Sequence, residues 1–235
     1  MAPLVKICGL SSPASLEAAL AAGADMVGFV FFPRSPRHVS LAQARELGRQ
    51  ARGRAKIVAL TVDADDGALG AIVDAVAPDL LQLHGKESPA RVGEIAKLFG
   101  VGTMKAVGVA AVDDLAAAKG YIDVADLLLF DAKPGKQAKL PGGNGLPFDW
   151  RLLAGMTYEP PYLLSGGLDP ANVAEAIALS GARGVDVSSG VESAPGVKDN
   201  DKIAAFVARA RSAFARAEDK DKELALRETR AGSIA

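Results

Sequence analysis

The chain has 235 residues, with 27 Lys and Arg against 28 Asp and Glu, a formal net charge of −1, and 49% hydrophobic residues. So even a balance provides no basic field to recruit nucleic acid or an anionic membrane, and no apolar run reaches the roughly 20 residues that a membrane span needs. A single cysteine excludes an intramolecular disulfide and a multi-cysteine metal cluster, and two histidines argue against a histidine-built zinc site.

The N-terminus lacks the basic region and cleavage site of a signal peptide. A reducing cytoplasm is therefore the simplest compartment, and there Cys8 stays a free thiol. Apolar runs begin almost at once. They fall at Leu4–Cys8, Met26–Phe32, Lys56–Val62, Leu80–Leu83, Thr103–Val107, Leu127–Phe130, Tyr162–Ser165 and Gly184–Val187. Between them lie helix-period stretches at Ser15–Ala22, Leu41–Arg52, Ala68–Val76, Pro89–Phe99, Val112–Lys119 and Pro170–Leu179. Near-continuous apolar strands separated by helices predict a parallel sheet covered on both faces. Eight such repeats favour closure into a single (β/α)8 TIM barrel over an open sheet. A short internal echo, Ala22–Gly28 and Ser180–Asp186, reads in both places as helix end, glycine cap and strand.

Three stretches break the rhythm. Pro33–Ser40 is a long loop after the second strand, and Ala132–Pro147, with Lys133, Lys136, Lys139 and Gly142-Gly143-Asn144-Gly145, is a longer one after the sixth. Loops of that length in a compact domain are commonly binding loops or lids. The third is the charged end. The expected division is a barrel over residues 1–213 and a charged tail or helix extension over 214–235, solvated and without function of its own.

Active sites of parallel barrels lie at the C-terminal ends of the strands, where this chain places Cys8, His84, Asp131, Ser165-Gly166-Gly167 and Ser188-Ser189-Gly190. Glycine turns after strands seven and eight suit a phosphate, because the backbone N–H groups can approach it closely and serine hydroxyls add donors. Tight turns alone would also account for glycine there; two Gly/Ser turns on adjacent strands favour phosphate. Lys6, Lys105 and Asp186 interrupt apolar strands, and each is expected to point into the lumen and find a partner. They form either a structural salt-bridge layer or, for Lys6, which shares a face with Cys8, a means of lowering the thiol pKa. Cys8 by itself also fits a small buried hydrophobe, Asp131 a turn cap, and His84 a ring packed at the rim. Arg37, and Arg34 beside it, stand where they could fork onto a carboxylate.

Taken together, Val5-Lys6-Ile7-Cys8-Gly9, Gly28-Phe29-Val30-Phe31 with Pro33-Arg34-Ser35-Pro36-Arg37, Leu81-Gln82-Leu83-His84-Gly85, Lys105-Ala106-Val107-Gly108-Val109, Leu129-Phe130-Asp131, Gly142-Gly143-Asn144-Gly145 leading to Phe148-Asp149-Trp150, Leu164-Ser165-Gly166-Gly167-Leu168 and Val185-Asp186-Val187-Ser188-Ser189-Gly190-Val191-Glu192 closely resemble the phosphoribosylanthranilate isomerase family. The likeness runs from residue 4 to about residue 213, and departs at Asn144, where relatives often carry Ser or Thr, and at Phe130, which replaces an aliphatic residue. The resemblance implies an Amadori rearrangement of a phosphorylated aminosugar in tryptophan biosynthesis, with no cofactor and no metal. It implies Asp131 as general acid, Cys8 as general base, and Arg37 on the anthranilate carboxylate. His84 and Asp186 would be further substrate contacts, and Gly166, Gly167, Ser188, Ser189 and Gly190 would hold the phosphate. Neither nucleic acid nor membrane is an expected partner, and the family includes monomers and homodimers. A histidine-pathway isomerase would need paired aspartates at the ends of strands one and five, where this chain has Cys8 and Val107-Gly108. Indole-glycerol-phosphate synthase would need lysines and a glutamate converging there, and a non-catalytic phosphate-binding barrel would have no use for an acid–base pair.

Overall fold

Apolar side chains on both faces of each short strand, and a helix after nearly every one, leave the sheet only one economical way to cover itself. In the computed structural model, which describes residues 2–133, 147–156 and 161–232, eight parallel strands close on themselves. They are β1 (Leu4–Cys8), β2 (Met26–Phe31), β3 (Lys56–Thr61), β4 (Leu80–Leu83), β5 (Gly102–Val109), β6 (Leu127–Ala132), β7 (Tyr162–Leu164) and β8 (Gly184–Val187). Closure brings the first strand against the last, with Leu4 opposite Gly184 and Lys6 opposite Asp186. The helices are α1 (Pro13–Ala21), α2 (Leu41–Ala51), α3 (Asp66–Val76), α4 (Pro89–Phe99), α5 (Val112–Ala118), α6 (Val173–Ser180) and α7 (Asn200–Gly232). This is the expected (β/α)8 barrel.

Strand alternation sorts the core into two layers. Val5, Ile7, Val27, Phe29, Ile57, Ala59, Leu81 and Leu83 pack outward under the helices. Met26, Val58, Leu80, Met104, Ala106, Leu127, Leu129 and Leu163 fill the lower lumen, and Cys8, Val30 and Leu60 form a smaller group above them. Lys105 therefore does not point into the lumen, as its place in an apolar strand suggested. With Met104 and Ala106 facing in, alternation turns it outward, where Glu87 receives it.

Helix starts follow local capping chemistry. Ser12, Ser40, Asp65 and Ser88 each accept a bond from the backbone N–H three residues on, and Pro13 and Pro89 occupy the first helical positions. The cap at Ser12 starts α1 two residues ahead of the periodicity-based expectation. α6 begins three residues late, at Val173, because Asp169 and Asn172 bind one another's backbone and hold a turn open. Gly23 and Gly181, the two glycines of the internal echo, both have positive φ. α7 is one continuous helix that runs on into the segment expected as a charged tail or helix extension. Its buried residues Ile203, Phe206, Val207, Ala210, Ala213 and Phe214 follow helical spacing and lie against the barrel. Most of the Ala132–Pro147 loop, with Lys136, Lys139 and the Gly142–Gly145 stretch, lies outside the described residues, whereas Lys133 pairs with Asp114 at 2.6 Å. Among the described residues no helix is long and apolar enough to cross a membrane.

The N-terminal face of the barrel carries a repeated device. Asp25, Asp79 and Asp126 each stand one residue before an even-numbered strand, and each accepts the backbone N–H of the preceding odd strand: Val5 at 2.6 Å, Ile57 at 2.7 Å and Thr103 at 2.7 Å. A charged acceptor on a partly buried strand N–H is worth about 1.5–3 kcal/mol. Asp79→Ala is expected to lower unfolding free energy by about 1–3 kcal/mol in urea titration. Its turnover per folded molecule should match the parent, because Asp79 is at the opposite end from the mouth.

Candidate active site

Cys8 ends β1 facing inward, 3% exposed. Gly28 makes room for it across the β1–β2 pair, since a Cβ built at Gly28 would sit 3.0 Å from the sulfur. Beneath the thiol on the same face, the fully buried Lys6 ammonium lies 2.7 Å from Asp186, whose second oxygen accepts from Ser165 at 3.1 Å. Burial pushes the Cys8 thiol above its ordinary value. Lys6 and Lys198 pull it down and Asp186 pushes it up, and burial with Asp186 prevails. Lys6 thus acts on the thiol in the expected direction without prevailing. Burial disfavours the charge on Lys6 itself, but Asp186 and Cys8 together hold its pKa above the usual lysine value.

Asp131, the penultimate residue of β6, lies opposite Gly108. One carboxylate oxygen accepts from Ala132 N–H at 2.9 Å, and the other lies 3.2 Å from Nε2 of His84. The Nδ1 of that ring is 3.2 Å from the amide of Gln82. His84 is therefore tied to Asp131 rather than merely packed at the rim.

The turn that carries His84 is fastened from outside the barrel. Lys105 Nζ donates to the carbonyls of Leu83 and Gly85, at 3.1 and 2.7 Å, and to Glu87 at 2.8 Å. Glu87 in turn accepts the N–H groups of Asp63 and Gly85. Glu87 was not singled out from sequence, although a lysine buried in a strand demands a carboxylate and this one lies two residues beyond Gly85.

Arg37, on the loop after β2, is 6% exposed and forks onto Glu192, Nε to Oε1 at 2.7 Å and Nη2 to Oε2 at 2.9 Å. So Arg37 does fork onto a carboxylate, but the carboxylate is the protein's own. Glu192 begins a short hairpin, Glu192–Ala194 with Val197–Lys198, and also takes Lys198 at 2.9 Å. Burial opposes the Glu192 charge, but Arg37 and Lys198 hold its carboxyl below the usual glutamate value. Burial likewise lowers Lys198 against the pull of Glu192. Lys198 also donates to the Ser188 carbonyl at 2.8 Å. Nothing in its local sequence marks it, because its partners lie across a turn.

The two glycine turns touch. A Cβ on Gly190 would fall 1.9 Å from the Leu168 carbonyl oxygen, and one on Gly166, where φ is +85°, 2.5 Å from Ala132 N. The Ser188 hydroxyl donates to the Cys8 carbonyl at 3.2 Å, so this loop is fixed to the end of β1. The fold thus gathers Cys8, Arg37, His84, Asp131, Asp186 and both turns at one end of the barrel. Among the described residues no cluster of His, Cys, Asp or Glu could hold a metal ion.

Comparison with known proteins places the sequence and its fold in one family. The family model for N-(5′-phosphoribosyl)anthranilate isomerase matches residues 5–209. The N-(5′-phosphoribosyl)anthranilate isomerase of Nitrobacter hamburgensis is 61% identical over 213 residues, covering 91% of this chain and 95% of that protein. The crystal structure of the Thermotoga maritima enzyme superposes with a TM-score of 0.78 at 33% identity, covering 90% of this chain and all of that one. A second solved isomerase, in complex with reduced 1-(o-carboxyphenylamino)-1-deoxyribulose 5-phosphate, gives a TM-score of 0.76 at 32% identity, with 90% and 100% coverage. With its barrel, the order of its strand-end residues and the match over nearly its whole length, the chain belongs to the N-(5′-phosphoribosyl)anthranilate isomerase family.

Proposed function

We propose that this chain converts N-(5′-phosphoribosyl)anthranilate to 1-(2-carboxyphenylamino)-1-deoxyribulose 5-phosphate in tryptophan biosynthesis, with Asp131 as general acid and Cys8 as general base. The observation that carries the assignment is the presence, at one barrel mouth, of an inward thiol and an inward carboxyl in different surroundings. Cys8 sits over the Lys6–Asp186 pair, and Asp131 sits between a backbone N–H and His84. Two groups with opposite protonation duties need such separate environments.

Asp131 gives its proton to the ribose ring oxygen as the C1′–O bond breaks, and the anthranilate nitrogen lone pair forms the C1′=N bond of a protonated Schiff base. The Cys8 thiolate then takes the C2′ proton. The released pair forms C1′=C2′ and neutralises nitrogen, giving an enolamine. Loss of the C2′ hydroxyl proton and protonation of C1′ complete the aminoketose. C1′ is reduced and C2′ oxidised within one molecule, so proton transfers suffice.

Phosphate binding falls to the backbone N–H groups of the turns at Gly166-Gly167 and Ser188-Ser189-Gly190, where an added side chain would strike a neighbouring backbone. Arg37 meets the anthranilate carboxylate with the edge not engaged by Glu192, held in aim by that buried fork. His84 and Asp186 border the substrate through their ties to Asp131 and Lys6.

Consumption of fluorescent phosphoribosylanthranilate measures turnover. Cys8→Ala and Asp131→Ala are each expected to lose about 10²–10⁴-fold in kcat, and near-parental activity in either would remove its assigned role. Arg37→Ala is expected to raise KM while leaving inhibition by a phosphate analogue without the anthranilate ring nearly unchanged; equal loss of both would sink the carboxylate role.

The raised thiol pKa gives a second, pH-dependent test. Alkylation of Cys8 in the free enzyme should titrate above the ordinary cysteine value of about 8.5. A group whose folded pKa lies above its unfolded one contributes stability that is complete below the unfolded value and is lost as pH rises through the folded value. Unfolding free energy should therefore fall more steeply above about pH 8.5 in the parent than in Cys8→Ala.

A further inference from the structure

Gln82 stands on β4 between Leu60 and Met104 of the neighbouring strands, and its side chain is completely buried in the lumen. One end of its amide meets His84 Nδ1 at 3.2 Å; the other, Oε1, has no hydrogen-bond partner among the described residues. Leaving a buried amide oxygen unpaired costs about 1–3 kcal/mol. Met or Leu would fill the same space without that cost, as Leu60, Leu80 and Met104 do around it. A residue kept for packing alone would be apolar here, so the reason for the amide lies at the end that is bonded.

We propose that Gln82 is a positioning residue that fixes the tautomer of His84 and thereby the direction of the His84–Asp131 hydrogen bond. This rests on the reading of Asp131 as the general acid. A neutral imidazole carries one N–H, and the bond made at one ring nitrogen decides which nitrogen holds it. The Gln82 amide donates to Nδ1, leaving the hydrogen on Nε2, which donates to Asp131 Oδ2 at 3.2 Å. When Asp131 passes its proton to the substrate, the carboxylate left behind is met by two donors, His84 Nε2–H and Ala132 N–H at 2.9 Å. Donors aimed where charge develops stabilise the transition state. With the opposite tautomer, the Nε2 lone pair would face the lone pairs of that carboxylate.

The chain contains two histidines, His38 and His84, so imidazole nitrogen spectra of the ¹⁵N-labelled full-length protein are simple, and the signals lost in His38→Gln leave those of His84. Wild type is expected to show the Nε2–H form. Gln82→Met should lose that preference and lower kcat about 10- to 100-fold, with KM changed by less than about threefold and a thermal midpoint equal to or above wild type. Gln82→Glu, which offers only acceptors to Nδ1, should move the hydrogen there and lower kcat at least as far. A wild-type signal from the Nδ1–H form overturns the proposal whether or not either variant folds. So does Gln82→Met with parental kcat, or with lower kcat that tracks lost stability while the Nε2–H form persists. Asp131→Asn with full turnover would instead sink the acid assignment, a result separable from the His84 spectrum.

Discussion

The Lys6–Asp186 pair is the interaction on which both the barrel and its mouth depend. β1 and β8 lie farthest apart in sequence, yet their register places these two residues opposite one another inside the lumen, 2.7 Å apart and shut away from water. Removing one partner of a buried pair leaves an uncompensated charge and destabilises by about 3–5 kcal/mol, so any shift of the first strand against the last is penalised strongly. The same pair makes the floor beneath Cys8. The thiol sees a cation and an anion locked together, and their opposed pulls leave burial as the largest influence on it. Closure of the sheet and the electrostatic setting of the Cys8 thiol are thus one piece of chemistry.

A second buried network does for the loops what the first does for the strands. Glu192 draws in Arg37 from the loop after β2 and Lys198 from the hairpin after β8, and Lys198 reaches on to the Ser188 carbonyl. The segment expected to bind phosphate and the side chain expected to bind the aromatic carboxylate are therefore held by a single carboxylate. Ordering such groups before the ligand arrives lowers the entropy lost on binding. A guanidinium gripped on two nitrogens also offers its partner one fixed edge, which favours a planar carboxylate over a less directional anion.

The barrel was legible because each strand is a short apolar run with a turn at its end, and the strand-end chemistry followed from where such barrels keep their active sites. The same continuity hid which way some side chains face. Thr103–Val107 is apolar on both sides of the sheet, so nothing local gives the phase of Lys105, and its partner Glu87 belongs to a turn after another strand. Lys198 and Gln82 escaped for related reasons. A lysine in a short hairpin reads as solvated until the fold buries its side chain, and one amide among leucines reads as an ordinary strand residue until His84 is seen above it. The late start of α6 was set by Asp169 and Asn172 binding each other's backbone, a competition that periodicity does not register.

The two ends of the barrel therefore divide the work. At the N-terminal end aspartates satisfy strand N–H groups and the lumen is filled with Val, Leu and Met. At the C-terminal end the lumen holds Lys6, Asp186, Gln82, Cys8 and Asp131, and glycines admit contacts that a methyl group would forbid. Each of those choices is worse for folding than an apolar alternative, and together they leave a thiol and a carboxyl facing the same space in unlike surroundings. The apolar half tolerates the polar half because the strands run through both: register fixed by packing and caps below is transmitted to the side chains two residues above. That is why a carboxylate at the foot of a strand and a thiol or carboxyl at its tip belong to one account of how this barrel is built.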